Sequence, residues 1–519
     1  MNKVMLMIRD GWGYTDKVEG NAILNADTPF DDWLQSETAH VLVTCHGEKV
    51  GLPAGFQGSS EVGHLNMGAG RIVEQEVTRI FQAIQSQEIF NSQALKKVEQ
   101  TLQAEGGALH FTGLLQNEGV HAHQEHLFQL YLNFRKRFPN TPIWIHPIAD
   151  GRDTPPQSFA GFYKDLIEKI GDDKNTSIGT VWGRYYGMDR SRNWQLIKVA
   201  VDAIVDGKGE VTDDFLGSVL KSYNNDHTPD GFPMFDEYLK PMISKDYSGM
   251  KPGDVLINFN YRQDRAIQIS KTFCDPTCPI HDERFREFHY FGLTRYYDEF
   301  ANYLMPPMDD SGDMANILGE VISKAGMRQL RIAETQKFRH VTSFFNGKST
   351  KPFPGEDQVE VKSEFDPSSF ANHPEMNAKD VTDELLRRLD HGYDFIAVNY
   401  ANCDMVGHTG EYDSAKKGAE IVDKYAGMVA REAMENGYTV IVTADHGNSE
   451  EMIDEKGEVK TSHTTNPVKL HLFGKDQTFS FKTDKAILSD IAPLILKLMG
   501  LKIPRNMTSK SLQADLQIS

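Results

Sequence analysis

Six residues in this chain have the types and spacing to hold metal. The run Tyr438-Thr-Val-Ile-Val-Thr443 is β-branched and apolar, and it gives way to Ala444-Asp445-His446-Gly447-Asn448. Such a run reads as a buried strand, and the loop after the C-terminal end of a strand in an α/β sheet is where ligands bind. A plain Asp-Gly turn with an uninvolved histidine is the alternative for this stretch alone. Val4–Ile8 ends the same way, in Arg9-Asp10-Gly11. Asp394–Ala401 leads into Asn402-Cys403-Asp404-Met405-Val406-Gly407-His408, where Asp404 and His408 share one face of a helical turn. His463 precedes a further strand, Lys469–Phe473. Asp10, Asp404, Asp445, His408, His446 and His463 offer mixed oxygen and nitrogen donors, which suit Mn²⁺ or Zn²⁺ and are too histidine-rich for a Ca²⁺ cage. Six ligands exceed one tetrahedral site, so two ions are expected, with Ser60 as a further ligand.

Ser60 lies in a glycine-rich stretch, Gly51 to Gly70, which permits tight turns and close approach to a ligand. It is not a P-loop, because no Gly-Lys-Ser/Thr follows. Ser60-Glu61 reads as the opening of a helix. The serine is then either a cap or a nucleophile whose alkoxide needs a metal or a base. A second chemistry comes from arginine. Four strand-like runs are each followed by a polar cluster: Gly119-Val120-His121-Ala122-His123, Asp150-Gly151-Arg152-Asp153, Gly183-Arg184 through Asp189-Arg190, and Asn260-Tyr261-Arg262-Gln263-Asp264-Arg265. Guanidinium forks bind phosphate and carboxylate in bidentate fashion. If these strands are neighbours, the five arginines form one site for a small anion; scattered surface ion pairs are the alternative. Lys337 follows another strand, Gln329–Ala333.

The elements that must position these groups alternate strand and helix. Strands are expected at Ala108–Leu115, Pro142–Ile148, Ser177–Trp182, Val255–Phe259 and Phe288–Leu293, with helices at His123–Phe138, Phe159–Ile170, Trp194–Val205, Asn316–Ala325 and Leu488–Met499. Leu304–Gly312 reads as a linker. Asp10 and Ser60 are N-terminal while most other ligands lie past residue 400. The metal domain is therefore expected to be discontinuous, 1–74 plus 309–519, with a second α/β domain, 75–308, inserted. At 519 residues the chain is too long for a single ordinary core. A net charge of −19 argues against nucleic acid as partner. No run of 18 apolar residues is present, which argues against a membrane span, and Val4–Ile8 is too short for a signal peptide. Four cysteines suit a reducing cytoplasm; Cys274-x-x-x-Cys278 lacks the second pair that a zinc site needs.

Together these motifs, with Ser60-Glu-Val-Gly-His64-Leu-Asn66 and His463-Thr-Thr-Asn-Pro467, resemble those of the cofactor-independent phosphoglycerate mutases of the alkaline phosphatase superfamily. The resemblance covers nearly the whole chain. It implies interconversion of 3-phosphoglycerate and 2-phosphoglycerate in glycolysis and gluconeogenesis, through a phosphoserine and without 2,3-bisphosphoglycerate. It implies two metal ions, most simply Mn²⁺: one on Asp404, His408 and His463, the other on Asp10, Ser60, Asp445 and His446. His121, Arg152, Asp153, Arg184, Arg190, Arg262, Arg265 and Lys337 would bind substrate, and Asp153 would act as general acid and base. A water-excluding closure, a monomer and a cytoplasmic location are implied as well. Two departures stand out: Ser59 where the family usually has Asn, and Ser509 where Gly is usual. A hydrolase or a phosphopentomutase would share the metal ligands but not the arginine set. A regulatory phosphate-binding protein would not need Ser60, Lys337 and all six metal ligands.

Overall fold

The computed structural model describes residues 3–229, 231–306, 314–366, 369–454, 457–509 and 511–518. The chain forms two compact units, Met1–Gln75 with Asp309–Ser519, and Glu76–Met308. The part of the expected linker from 307 to 312 lies outside the described residues. Its first residues are not linker-like: Leu304 and Met305 are buried, and their N–H groups donate to Gly292 and Leu293.

The first unit is built on an eight-stranded sheet in the order Glu356–Val361, Gln329–Glu334, Phe395–Tyr400, Lys3–Arg9, Tyr438–Thr443, Val468–Phe473, Ala39–Thr44, Lys485–Ile487. The first five strands run parallel and Val468–Phe473 is antiparallel to both of its neighbours. In the central strand, Val4 to Arg9 are all buried, which is what a parallel strand covered on both faces requires. Each large aliphatic side chain there stabilises the fold by roughly 1.5–3 kcal/mol. The long helix Tyr412–Glu435 covers the sheet with an apolar stripe that includes Ala415, Ala419, Val422, Ala426, Val429 and Ala433. The expected C-terminal helix is shorter than its apolar pattern: a 3₁₀ turn at Leu488–Asp490 precedes the α-helix Ile491–Met499.

The second unit has its own sheet, in the order His289–Gly292, Val255–Asn258, Leu109–Leu114, Ile143–Ala149, Thr180–Gly183, Met242–Ser244, Glu210–Thr212. The expected strand Ser177–Trp182 is two strands, Thr176–Ile178 and Thr180–Gly183, broken at Gly179. A Cβ at Gly179 would lie 2.6 Å from the His146 ring, so the chain passes there only as glycine. The last two strands of this order, Met242–Ser244 and Glu210–Thr212, have three residues each, too few to leave a periodic signal.

Candidate metal centre and anion site

In the first unit the strand register brings the ligand-bearing loops to one level. Ile8 lies opposite Asn399 on one side and Thr443 on the other. Asp10, Asp404 and Asp445 therefore leave the sheet together at the C-terminal ends of three adjacent strands. Lys337 follows the strand Gln329–Glu334 on a short helix, Thr335–Arg339. Ser60 is the first residue of the helix Ser60–Ala69, and Ser59 is its cap, its hydroxyl accepting from Val62 N–H at 3.4 Å. The Ser60 hydroxyl is thus spared for other work at the positive end of a helix. Gly63 lets that helix touch the Asp445 loop: a Cβ there would lie 2.8 Å from Asp445 Cβ.

The eight residues expected here converge. Lys337 Nζ donates to Asp404 Oδ2 at 2.5 Å, Ser60 Oγ at 2.6 Å and Asp10 Oδ1 at 2.7 Å. Ser60 Oγ lies 3.0 Å from Asp10 Oδ1 and 2.9 Å from His446 Nε2. His408 Nδ1 faces Thr461 C=O at 2.7 Å, and His463 Nδ1 faces Gly58 C=O at 2.8 Å. Each carbonyl can only accept, so both Nδ1 atoms carry the proton and both Nε2 atoms present lone pairs. Those Nε2 atoms are 3.1 Å apart and lie 3.2 and 3.1 Å from Asp404 Oδ1. Three lone-pair donors meeting at such distances fit a cation between them.

The charge balance points the same way. Asp10, Asp404 and Asp445 are buried together with Lys337, the ammonium that contacts Asp10 and Asp404. Carboxylates so buried require compensating positive charge. Burial, reinforced by Asp445, pushes Asp10 up to about 6 despite Lys337. Burial would also raise Asp404, but Lys337 and His408 hold it well below the usual range. Asp445 is drawn down by His446 and His64 against the same burial. His463 is pushed down to about 4 by burial and His446, so it stays a neutral ligand near neutral pH.

Among the described residues, two groups of side chains have donor atoms close enough to share an ion: Asp404 with His446 and His463, and Asp10 with His64 and Asp445. This grouping differs from the division implied by the family resemblance. His446 Nε2 stands between the groups, 3.5 Å from Asp10 Oδ1 and 3.8 Å from Asp404 Oδ1. His64 carried no assigned role in the sequence reading. Its Nδ1 lies 2.8 Å from Ser60 C=O and 3.3 Å from Asp445 Oδ2. Asn399 Nδ2 bridges Asp10 Oδ2 at 2.8 Å and His64 Nε2 at 3.1 Å. The signal for His64 was its place one helical turn after Ser60; Asn399 left none inside its apolar strand.

In the second unit the four polar clusters also meet, at the C-terminal ends of four neighbouring strands. Arg184 is buried and its NH1 donates to Asp153 Oδ2 at 2.5 Å and Asp150 Oδ1 at 2.6 Å. Arg152 reaches Glu237 at 3.3 Å. Arg190 and Arg262 share Asp264, at 3.2 and 3.3 Å. Arg265 donates to Met188 C=O at 2.9 Å. Burial, then Arg184, Arg152 and Arg190, lower Arg265 below its usual value. Burial, then Arg184, Arg262, Arg265 and Arg190, drive His121 down to about 2. Field and forks together suit a small dianion. Asp150, Glu237 and Asp264, the carboxylates that hold these arginines, were not singled out from sequence.

A family model for the metalloenzyme superfamily matches residues 2–503. The 2,3-bisphosphoglycerate-independent phosphoglycerate mutase of Syntrophotalea carbinolica is 41% identical over 517 residues, 98% of each chain. That of Clostridium novyi is 40% identical over 515 residues, covering 98% of this chain and 99% of its own. Among solved structures, the phosphoglycerate mutase of Leishmania mexicana at low cobalt concentration is similar over 100% of this chain and 98% of its own. Its TM-score is 0.76 at 28% identity.

Proposed function

The chain belongs to the 2,3-bisphosphoglycerate-independent phosphoglycerate mutases of the metalloenzyme superfamily, isomerases of 3- and 2-phosphoglycerate, and from that premise we propose that it works through a phosphoserine on Ser60 beside two divalent ions. The observation that carries this reading is the convergence of Lys337, His446 and Asp10 on Ser60 Oγ, all within 3.0 Å. The donors fit the ions: Asp404, His408 and His463 would hold one, and Asp10, Ser60, Asp445 and His446 the other. Bound there, such ions lower the pKa of the serine hydroxyl and offset charge on the phosphoryl oxygens. The mixed donors favour Mn²⁺.

The chain's own groups do the rest. Lys337, raised by Asp10, Asp404 and Asp445 against burial, stays an ammonium and holds Ser60 Oγ oriented. The Ser60 hydroxyl donates to Asp10 Oδ1 at 3.0 Å, and that carboxylate takes its proton and returns it when Oγ later leaves. Oγ then attacks phosphorus and the bond from phosphorus to O3 of the glycerate breaks. Asp153, the general acid and base, protonates O3 and takes the proton of O2 as O2 attacks the phosphoserine and Oγ leaves. His121, Arg152, Arg184, Arg190, Arg262 and Arg265 hold the glycerate carboxylate and phosphate. Little more is needed, because phosphoryl transfer depends mainly on positioning and positive charge. The glycerate must stay bound through both transfers, with water excluded. The same reading makes the protein a cytoplasmic monomer, in keeping with four free cysteines. Among the described residues no helix is long and apolar enough to cross a membrane.

The test is mutase activity on 3-phosphoglycerate with 2,3-bisphosphoglycerate absent, after chelation and after adding back Mn²⁺, Co²⁺, Zn²⁺ or Mg²⁺ singly. Activity should vanish on chelation and return best with Mn²⁺. Full turnover in the chelated protein would contradict the reading.

A further inference from the structure

Within the anion site, His121 Nδ1 is buried with no hydrogen-bond partner among the described residues and faces Asp264 Oδ1 at 3.6 Å, an oxygen whose other neighbour is Arg262 Nε at 3.3 Å. A buried polar atom without a partner is costly and calls for an explanation. The other ring nitrogen, His121 Nε2, lies 3.8 Å from Asp153 Oδ2. The backbone ties this arrangement together, since His121 C=O accepts from Tyr261 N–H at 2.8 Å and Arg262 N–H at 3.3 Å. The loop carrying His121 is thereby fixed to the loop carrying Asp264.

We propose that Asp264 is a positioning residue: it keeps the proton of His121 on Nδ1, so that Nε2 is bare toward Asp153 and His121 serves as its proton-relay partner. This rests on the reading of Asp153 as general acid and base. An aspartate behind a histidine sets its tautomer and stabilises the imidazolium that forms in passing. The relay balances. Asp153 gives its proton to O3 as phosphorus leaves it. The proton of the attacking O2 passes to His121 Nε2, with Asp264 facing the imidazolium, and then to Asp153 Oδ2. No proton is gained or lost over the cycle.

The surroundings make the relay depend on substrate. Arg184, Arg262, Arg265 and Arg190 face His121 with Asp153 and Asp264. Asp264 is itself shared by Arg190 and Arg262. Burial, then the field of these arginines, disfavours a proton on His121. A substrate carboxylate and phosphate engaging them cancel that field and release Asp264 toward His121 Nδ1. The base gains strength only when there is something to deprotonate.

Asp264→Asn tests this in the full-length, metal-loaded enzyme. The inference predicts a kcat lower by about tenfold to a hundredfold with the KM for 3-phosphoglycerate changed by less than about threefold. Asp264→Asn added to His121→Gln should cause no further loss of kcat, because both act on one path. Proton–nitrogen correlation spectra should show His121 protonated on Nδ1 alone in wild type and Asp264→Glu, and as mixed tautomers in Asp264→Asn. A raised KM with kcat unchanged would mean that Asp264 serves only to hold the arginines. Unaltered His121 tautomer in Asp264→Asn would overturn the inference equally. Wild-type kcat in His121→Gln would instead overturn the reading of the anion site, and this inference with it.

Discussion

At the scale of single residues, two neighbouring serines divide two jobs. Ser59 caps the helix and Ser60 faces Lys337, His446 and Asp10. Ser59→Ala should cost about 1 kcal/mol of stability while keeping measurable activity, which denaturation and the mutase assay check together. Histidine supplies a second prediction, away from the metal centre. His146 is fully buried, 2.8 Å from Thr180 Oγ1 and 3.0 Å from His110 Nδ1, with His110 in turn 3.1 Å from Asp254. Burial, then His110, holds His146 well below its usual 6.5. Below that value the unfolded chain takes up a proton that the folded chain refuses. The stability from neutral His146 is therefore complete above pH 6.5 and falls by about 1.4 kcal/mol per pH unit below it. Denaturation at pH 7.5 and 5.5 should show a smaller acid loss in His146→Gln than in wild type by about that amount. Equal acid losses would mean that His146 does not hold this role.

At the scale of elements, the site depends on how closely the Ser60 helix approaches the Asp445 loop. Gly63→Ala places a methyl group 2.8 Å from Asp445 Cβ and 2.9 Å from its carbonyl oxygen. The helix must move, and with it Ser60. Metal content and activity should both drop, by tenfold or more in activity, a shift of about 1.4 kcal/mol in the barrier, while circular dichroism stays near wild type. Wild-type metal content would show that the helix can shift without disturbing Asp445. The same elements show what the sequence made legible. Asp10, Asp404 and Asp445 follow apolar β-branched runs, so a strand-end pattern sufficed to find them. The arginine clusters follow strands in the same way, and their convergence needed only that those strands be neighbours. The rest was hidden for physical reasons. Glu356–Val361 is a polar, partly exposed edge strand without clean alternation. The π-helical turn His340–Phe344, which begins three residues after Lys337, has no local sequence signal. Asn399 sits in a strand buried at every position, so its contacts with Asp10 and His64 emerge only in three dimensions.

At the scale of the whole molecule, the proposed mechanism separates holding the phosphoryl group from holding the glycerate. The expected metal ligands all belong to the unit made of Met1–Gln75 and Asp309–Ser519, and the arginines to Glu76–Met308. Arg262→Ala removes a fork paired with Asp264 and leaves every expected metal ligand in place. Metal content should equal wild type. The KM for 3-phosphoglycerate should rise, and a phosphoenzyme that loses its glycerate should react with water, so phosphatase activity should increase relative to mutase activity. Loss of metal in Arg262→Ala would contradict the division of labour.

The central claim is that Ser60 carries the phosphoryl group. Acid quenching of the Mn²⁺-loaded enzyme during turnover of 3-phosphoglycerate, followed by peptide mapping, tests it most directly. The account predicts phosphate on Ser60 and none on Ser59, and no phosphopeptide from Ser60→Ala, which should also lack mutase activity. Phosphate on Ser59, or turnover in Ser60→Ala, would contradict it.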